Sequence, residues 1–338
     1  MIIVLRPHTP REKIDEVIAE VRRLGYEPRP IIGVEQAVIA AIGDERTHHT
    51  LESLRVLPQV ENVMPVQKRY KLVSRESHPQ PTLVNVDGIE IGGAKFCVMA
   101  GPCSVESEQQ LLTTARAVKE AGATILRGGA YKPRTSPYEF QGLGKEGLRL
   151  LDLAKRETGL KIITEVLGEN DVEHVAKTAD ILQIGARNSQ NFRLLTECAK
   201  TMKPILLKRG LSQRIEEWLL AAEYILSSGN PNVLLCERGI RTFETYTRNT
   251  LDLAAVAVAK KESHLPVIVD PSQGCGLADL VRILCHGAVA VGADGLLIEV
   301  HPKPAEALSD GQQQVDFALF RQLMQELPPL LAVTNRTL

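Results

Sequence analysis

Charged and polar side chains follow eight short apolar runs of the chain, at the point where each run ends. Arg127 and Lys132 follow the second run, and Lys208 follows the fifth. Several cations brought to one rim would repel one another unless anions lay between them, so the pattern predicts a site for phosphate or carboxylate groups. Arginine suits a two-pronged grip on such groups, and lysine can also donate a proton. In chain order the series is Cys103, Arg127, Lys132, Glu165, Arg187, Lys208, Arg209, Glu237, Arg238, Asp270, Gln273, Glu299 and His301.

A second group of residues could bind a metal ion. Cys103, Glu299 and Asp310 offer a thiolate and two carboxylates near neighbouring run ends, a ligand set that suits a divalent transition ion. Each also has a structural interpretation. Cys103 could be a small buried thiol, and Asp310, which precedes Gly311, could be a turn residue.

The elements that must position these side chains repeat at intervals of about 30 residues between Lys95 and Leu327. Each repeat has a β-branched run, a polar loop and an amphipathic helix, which predicts a closed (β/α)8 TIM barrel with its functional groups on the loops after the strands. An open doubly wound sheet is the competing assignment, but no G-x-G-x-x-G follows the first strand. The predicted strands are 96–99, 124–126, 162–164, 181–184, 205–207, 233–236, 267–269 and 295–298.

Residues 1–73 have a different pattern, strand-helix-strand-strand-helix-strand, which is typical of a small α+β ferredoxin-like domain. Thr9 is predicted to cap its first helix, with Pro10 at the first helical position, and the last strand is predicted over 60–66. Residues 74–93 are predicted to be a linker followed by a hairpin that turns at Asp87-Gly88. The catalytic barrel would then occupy residues 94–338, giving an α/β protein of two domains.

Composition excludes several classes of function. The 338 residues carry 40 Lys plus Arg against 41 Asp plus Glu, and only 4% are aromatic, so neither a basic surface nor a stacking platform for nucleic acid is expected. The six cysteines are scattered, which favours reduced thiols. No apolar run is long enough to span a membrane, so we expect a cytoplasmic protein.

Seven motifs resemble those of the 3-deoxy-D-arabino-heptulosonate 7-phosphate (DAHP) synthase family, in its type I beta form with an N-terminal ferredoxin-like domain. The resemblance extends over nearly the whole chain, and the family condenses phosphoenolpyruvate with erythrose 4-phosphate, releasing phosphate, as the first step of the shikimate route to aromatic amino acids. The motifs are GPCSVES (101–107), RGGAYKPRTSPYEFQGLG (127–144), QIGARNSQNF (183–192), LLKRG (206–210), CERGIRTFE (236–244), VDPS (269–272) and IEVHPKPAEALSDGQQ (298–313).

The resemblance implies individual roles for these residues. Asp270 falls within the substrate site, and Arg134, Thr135 and Ser136 would meet erythrose 4-phosphate. The phosphoenolpyruvate site would comprise Arg127, Lys132, Arg187, Lys208 and Arg238.

The metal-ligand positions implied by the resemblance are Cys103, Gln273, Glu299 and Asp310, holding a divalent ion such as Mn²⁺. The family has a histidine where this chain has Gln273. A glutamine offers a neutral amide oxygen there, which is a harder and weaker ligand for a transition ion. We therefore expect the metal to bind, but less tightly than in a site with the histidine.

The family's reaction assigns further tasks. A metal ion would polarise the aldehyde of erythrose 4-phosphate, and Lys132 would donate the proton to the former aldehyde oxygen, with a pKa lowered by neighbouring cations. Glu165 or Glu237 would orient the water that adds before phosphate leaves. The sequence does not choose between these two glutamates.

Two alternatives remain open from the sequence. One is the sibling enzyme that makes 3-deoxy-D-manno-octulosonate 8-phosphate, and the other is a catalytically weak, ligand-binding barrel, suggested by Gln273. The resemblance also implies a homo-oligomer, a tetramer, and feedback by tyrosine or phenylalanine through residues 1–73.

Overall fold

The computed structural model describes residues 1–33, 36–43, 49–64 and 69–338, with only the backbone of residues 49 and 50. The chain divides into two compact units, Met1–Arg69 and Tyr70–Leu338. Among the described residues, no helix combines the length and the apolar character that crossing a membrane requires.

The first unit is a four-stranded antiparallel sheet in the order β2-β3-β1-β4, covered by helices. Its core joins Ile14, Val17 and Val21 of the first helix to Ile3 and Ile39 of the sheet. The predicted ferredoxin-like order is confirmed. The elements are β1 (Ile2–Leu5), α1 (Arg11–Arg23), β2 (Glu27–Ile32), β3 (Ala37–Ile42), α2 (His49–Glu52), which a 3-10 turn (Ser53–Val56) extends, and β4 (Val60–Met64).

Two local predictions for this unit concern Thr9 and the last strand. The predicted cap at Thr9 is wrong, because its hydroxyl donates to Arg6 O and α1 begins at Arg11 after Pro10 without a side-chain cap. Of the predicted strand 60–66, residues 65 and 66 lie outside the described part of the chain.

The second unit contains a closed eight-stranded parallel barrel, as predicted, in the order β10-β11-β12-β13-β14-β7-β8-β9. Most of the strands end one or two residues later than predicted, so that Arg127, Lys208, Glu237 and Glu299 are the last residues of their strands. The barrel strands are β7 (Cys97–Gly101), β8 (Ile125–Arg127), β9 (Lys161–Val166), β10 (Ile181–Ile184), β11 (Ile205–Lys208), β12 (Val233–Glu237), β13 (Val267–Val269) and β14 (Gly295–Glu299). The helices are α3 (Glu108–Glu120), α4 (Lys145–Thr158), α5 (Val172–Thr178), α6 (Phe192–Lys200), α7 (Ile215–Ser227), α8 (Leu253–Glu262), α9 (Pro271–Cys275), α10 (Ala278–Ala290) and α11 (Phe317–Val333).

The hairpin of β5 (Val84–Val86) and β6 (Ile89–Ile91) packs against the interior of the barrel. Val84, Val86 and Ile91 contact the residues that fill the beginnings of the strands, including Cys97 and Ile181. The hairpin therefore lies at the end of the barrel opposite the strand C-termini, and the site forms at the other end.

Residues 70–82 belong to the barrel unit and are held against it. The carboxylate of Glu223 accepts hydrogen bonds from the backbone N–H groups of residues 71, 72 and 73. The His264 ring lies 2.7 Å from Leu72 O and 2.6 Å from Thr82 Oγ1. This segment, whose composition is typical of a linker, is therefore bonded along much of its length.

Candidate active site

An open cavity of roughly 790 Å³, counting the solvent at its mouth, lies at the carboxyl ends of the barrel strands. Seven cationic and three acidic side chains line it, so it is strongly positive. Anionic groups are the ligands that such a cavity favours. The lining residues are Arg127, Lys132, Pro133, Arg134, Thr135, Glu139, Glu165, Gln183, Gly185, Ala186, Arg187, Lys208, Arg238, Arg248, Gln273 and Asp310.

Two buried guanidinium groups in this cavity keep an unused donor. Arg127 Nε and Arg238 Nη1 have no hydrogen-bond partner among the described residues. An unsatisfied buried donor on a charged group is costly unless a ligand takes it. The two atoms therefore mark where an anion would bind.

Strand alternation decides which side chains reach the cavity. Lys208 has the same parity as Leu206 in β11, and Arg238 the same as Cys236 in β12, both of which pack inside the barrel. Because successive side chains of a strand point to opposite faces, these cations point inward at the rim.

The same alternation separates Glu165 from Glu237. Glu165 shares parity with Ile163 inside the barrel and lines the cavity, where Gln183 Nε2 donates to its carboxylate at 3.2 Å. Glu237 shares parity with Leu235, which packs outside the barrel, and is fully buried there. Its carboxylate accepts from Arg209 Nη1 at 3.0 Å and from Gly239 N at 2.7 Å. Glu237 thus lies outside the cavity.

Gly185 gives Glu165 its space. A Cβ added at position 185 would lie 1.9 Å from Glu165 Oε1, closer than atoms can approach. The absence of a side chain at Gly185 lets the Glu165 carboxylate lie across the end of β10. A larger residue at position 185 would displace that carboxylate.

Asp270 supports Lys208 and does not line the cavity. Its Oδ2 accepts from Lys208 Nζ at 2.6 Å, and its Oδ1 accepts from Gln273 N at 2.9 Å, capping α9. Both Lys208 and Asp270 are buried. The carboxylate therefore fixes the direction of the lysine.

The loop after β8 carries the KPRTS motif. Arg134 and Thr135 line the cavity, and Arg187 Nη2 donates to Thr135 Oγ1 at 3.5 Å. Ser136 lies beside the cavity, and its hydroxyl accepts from Tyr138 N at 3.3 Å. Arg134 makes a two-pronged contact with Glu139, at 3.1 and 3.0 Å.

Cys103, Glu299 and Asp310 come together as the sequence predicts. Their ligand atoms all lie within 4.8 Å of one another. Cys103 follows β7, Glu299 ends the neighbouring β14, and Asp310 has a left-handed backbone (φ 48°). One thiolate and two carboxylates in this arrangement fit a divalent ion.

Gln273 is oriented by two charged neighbours. Its Nε2 donates to Glu299 Oε1 at 2.9 Å, and its Oε1 accepts from Arg238 Nη2 at 2.8 Å. A carboxylate only accepts and a guanidinium only donates, so the reverse orientation of the amide would lose both bonds. The amide oxygen therefore points to Arg238 and its nitrogen to the carboxylate.

Electrostatics set the protonation of this group. Burial disfavours the charged form of Glu299, but Arg127 and Lys132 lower its pKa to about 2. Burial and the Glu299 charge raise the pKa of the Cys103 thiol to about 12. The thiol proton must leave when a metal ion binds, because a thiolate is the ligand.

The predicted lowering of the Lys132 pKa is wrong. Burial lowers the pKa of this lysine, but Cys103 and Glu299 together outweigh that effect and the repulsion of Arg127, so the pKa is raised. Lys132 Nζ lies 2.9 Å from Cys103 Sγ. The group is held as an ammonium ion at neutral pH.

Three further residues of the site are absent from the sequence-based candidates. Arg248 Nη1 donates to Asp310 Oδ1 at 3.1 Å and to Gln313 Oε1 at 2.9 Å, while Gln313 Nε2 donates to Glu299 Oε2 at 2.7 Å. Gln314 Oε1 accepts from Cys103 N at 3.0 Å. The run of three glutamines after Gly311 was the available signal for Gln313 and Gln314, whereas Arg248 lies in a loop with no periodic pattern.

Comparison with known proteins gives a consistent result for both units. Residues 71–332 match the model of the DAHP synthetase I family, and residues 1–68 match that of the DAHP synthase ferredoxin-like domain. Phospho-2-dehydro-3-deoxyheptonate aldolase of Thermotoga maritima is 52% identical over 330 residues, which are 98% of this chain and 97% of that protein. A 2-dehydro-3-deoxyphosphooctonate aldolase of Methylobacillus flagellatus is 30% identical over 272 residues, which are 74% of this chain and 96% of that protein.

Solved structures agree with these matches. The crystal structure of the Thermotoga maritima DAHP synthase aligns with a TM-score of 0.92 at 50% sequence identity, over 99% of this chain and 98% of that chain. A truncated form of 3-deoxy-D-arabino-heptulosonate 7-phosphate synthase from Thermotoga maritima aligns with a TM-score of 0.75 at 51% identity, over 79% of this chain and 98% of that chain.

Proposed function

The chain belongs to the DAHP synthetase I family, and from this premise we propose how its residues divide the work of a DAHP synthase. The enzyme condenses phosphoenolpyruvate with erythrose 4-phosphate. The octulosonate alternative is less well supported, because its curated relatives are only about 30% identical and match less of this chain. The second alternative is a ligand-binding barrel without turnover. It is also less well supported, because the relative that is 52% identical over nearly the whole chain is an aldolase.

We assign the phosphoenolpyruvate site to the deeper part of the cavity. The observation that carries this assignment is the pair of unpartnered buried donors, Arg127 Nε and Arg238 Nη1. Lys208, aimed by Asp270, and Arg187 at the rim add charge for a ligand with both a phosphate and a carboxylate. The KPRTS loop, with Arg134, Thr135 and Ser136, would hold erythrose 4-phosphate.

We assign the proton-donor role to Lys132. A raised pKa keeps its ammonium charged, as a donor must be, and it lies beside the metal-ligand group where the aldehyde oxygen would be. Glu165 is our choice for orienting the attacking water, because it lines the cavity and Glu237 does not.

We propose that Cys103, Glu299 and Asp310 would hold a divalent ion, Mn²⁺ or one similar. Such an ion, when bound, polarises a carbonyl oxygen as a Lewis acid. The Gln273 amide oxygen is engaged by Arg238, so Gln273 is better described as a brace for Glu299 than as a ligand.

Residues 1–73 are proposed to bind the feedback effector, tyrosine or phenylalanine, in a homo-oligomer that is a tetramer. Support comes from the match of residues 1–68 to a DAHP synthase ferredoxin-like domain. Residues 74–93 would then join this domain to the barrel of residues 94–338. Size measurement in solution, with and without each amino acid, tests the assembly.

A turnover assay tests the proposed function. Purified protein receives phosphoenolpyruvate with either erythrose 4-phosphate or a five-carbon sugar phosphate, before and after metal chelation, and released phosphate is measured. We expect release with erythrose 4-phosphate and loss of activity on chelation. Preference for the five-carbon acceptor would support the octulosonate alternative.

A further inference from the structure

Glu139 places a carboxylate in a cavity that is otherwise dominated by cations. Its two oxygens face Arg134, which donates from Nε at 3.1 Å and from Nη2 at 3.0 Å. The Glu139 side chain is 43% exposed and that of Arg134 is 14% exposed. The arginine is thus fixed in the wall, and the acid lies on the solvent side of it.

The contact has the geometry of anion recognition. A guanidinium presents parallel N–H groups that fit a carboxylate or a phosphate equally well. Ser136 N also donates to Glu139 Oε2, at 3.5 Å. Glu139 therefore uses two of the groups that the KPRTS loop would offer to a phosphate.

We propose that Glu139 is a built-in competitor for the phosphate-binding groups of this loop, and that it sets the affinity for the acceptor sugar phosphate. The inference rests on the proposed function, in which Arg134 and its neighbours hold erythrose 4-phosphate. An incoming phosphate displaces the carboxylate, which turns into solvent.

Charge and exposure make this exchange feasible. A phosphate carries more negative charge than the carboxylate it replaces and finds six other cations lining the same cavity. A partly exposed ion pair typically changes an equilibrium constant by about one and a half to fivefold. Competition by Glu139 would therefore weaken the binding of the sugar phosphate by this factor and would not abolish it.

The test compares Glu139→Gln with the parent, using the full chain saturated with phosphoenolpyruvate so that the donor site is filled. Inorganic phosphate is the calorimetric probe, and KM for erythrose 4-phosphate is measured separately. We expect the phosphate Kd and that KM to fall about two- to fivefold, while kcat and the KM for phosphoenolpyruvate stay unchanged. Glu139→Ala serves as a second variant if the first is unstable.

Glu146→Gln is the matched control. Glu146 makes the same two-pronged contact with Arg149, at 2.9 and 2.7 Å, on the exposed surface of α4, and neither residue lines the cavity. Glu146→Gln changes the net charge by the same amount as Glu139→Gln. It should leave the phosphate Kd and the KM for erythrose 4-phosphate unchanged. An equal effect of the two variants would mean long-range electrostatics and would overturn the proposal.

A second comparison shows whether the effect passes through Arg134. In an Arg134→Ala background, Glu139→Gln should no longer tighten phosphate binding. Weaker phosphate binding and a higher KM in Glu139→Gln would show that Glu139 orients Arg134 for the substrate, which overturns competition. Tighter phosphate binding without any turnover of erythrose 4-phosphate would support the competition and count against the proposed function.

Discussion

Gln273 links Arg238 of the anion site to Glu299 of the metal-ligand group, accepting from the first at 2.8 Å and donating to the second at 2.9 Å. The amide oxygen of Gln273, the residue at the family's histidine position, faces the arginine, and the amide nitrogen faces the carboxylate. The amide ties one wall of the cavity to the other. One side chain thus contacts both Arg238 and Glu299.

Gln273→His should strengthen metal binding. An imidazole nitrogen adds a ligand to Cys103, Glu299 and Asp310, and even outer-shell partners of a metal site typically change affinity about 10- to 100-fold. Titration with Mn²⁺, followed directly and without turnover, measures the change in Kd. Gln273→Asn, which keeps an amide, is the control. Equal affinity of Gln273→His and the parent would contradict this prediction.

Lys132→Ala should reduce kcat about a hundredfold or more, because proton donation by a positioned group contributes on that scale. Lys132→Arg keeps the charge but is a poor donor, and it should lose nearly as much. Steady-state kinetics with both substrates measure kcat and KM. Retention of kcat in Lys132→Arg would show that the charge at this position suffices.

Glu165→Gln should affect turnover, whereas Glu237→Ala should affect stability. Glu165→Gln should lower kcat about a hundredfold with an unchanged melting temperature. Glu237→Ala should lower the free energy of unfolding by about 1–3 kcal/mol, since it removes one of the two carboxylates that pair with buried Arg209, which keeps Asp252, and leaves the Gly239 N–H without its acceptor. Kinetics and urea denaturation of both variants measure these effects. Loss of turnover in stable Glu237→Ala protein would contradict the assignment.

His264 should make the stability of the barrel unit depend on pH. Leu72 O can only accept, so Nε2 carries the proton and the neutral ring accepts from Thr82 at Nδ1. Burial holds the pKa of His264 below its ordinary value. The unfolded chain therefore binds more protons below about pH 6.5, and the stabilisation present above that pH is lost as the pH falls through the lower folded-state pKa.

His264→Gln tests this dependence, because glutamine can bond to the same two oxygens without titrating in this range. Melting temperatures are compared at pH 7.5 and pH 5.0. The decrease on acidification should be smaller in His264→Gln than in the parent. Equal decreases would contradict a contribution from His264.

Removal of residues 1–69 should leave an active barrel that tyrosine and phenylalanine no longer inhibit. The cut falls at the boundary between the two compact units and keeps the backbone segment that Glu223 holds. A chain that lacks residues 1–82 is the comparison, and it should melt at a lower temperature because it loses buried Val73 and these bonds. Inhibition that persists after removal of residues 1–69 would exclude this unit as the sensor.

Local signals along the chain are enough to predict the architecture and most residues of the site. Periodicity of apolar residues, the Asp87-Gly88 turn and the polar residue after each strand are local signals, and a parallel barrel brings all strand ends to one rim. Cys103, Glu299 and Asp310 could therefore be expected together although about 200 residues separate the first two.

The direction in which individual side chains face, and what they contact, depends on the folded arrangement. Glu165 and Glu237 differ by the parity of their positions within strands whose exact ends the sequence leaves uncertain by a residue or two. The orientation of the Gln273 amide, the raised pKa of Lys132 and the Arg134–Glu139 contact depend on charges brought close by folding. Interactions through space between residues distant in sequence leave no periodic trace in the chain, so only the folded arrangement reveals them.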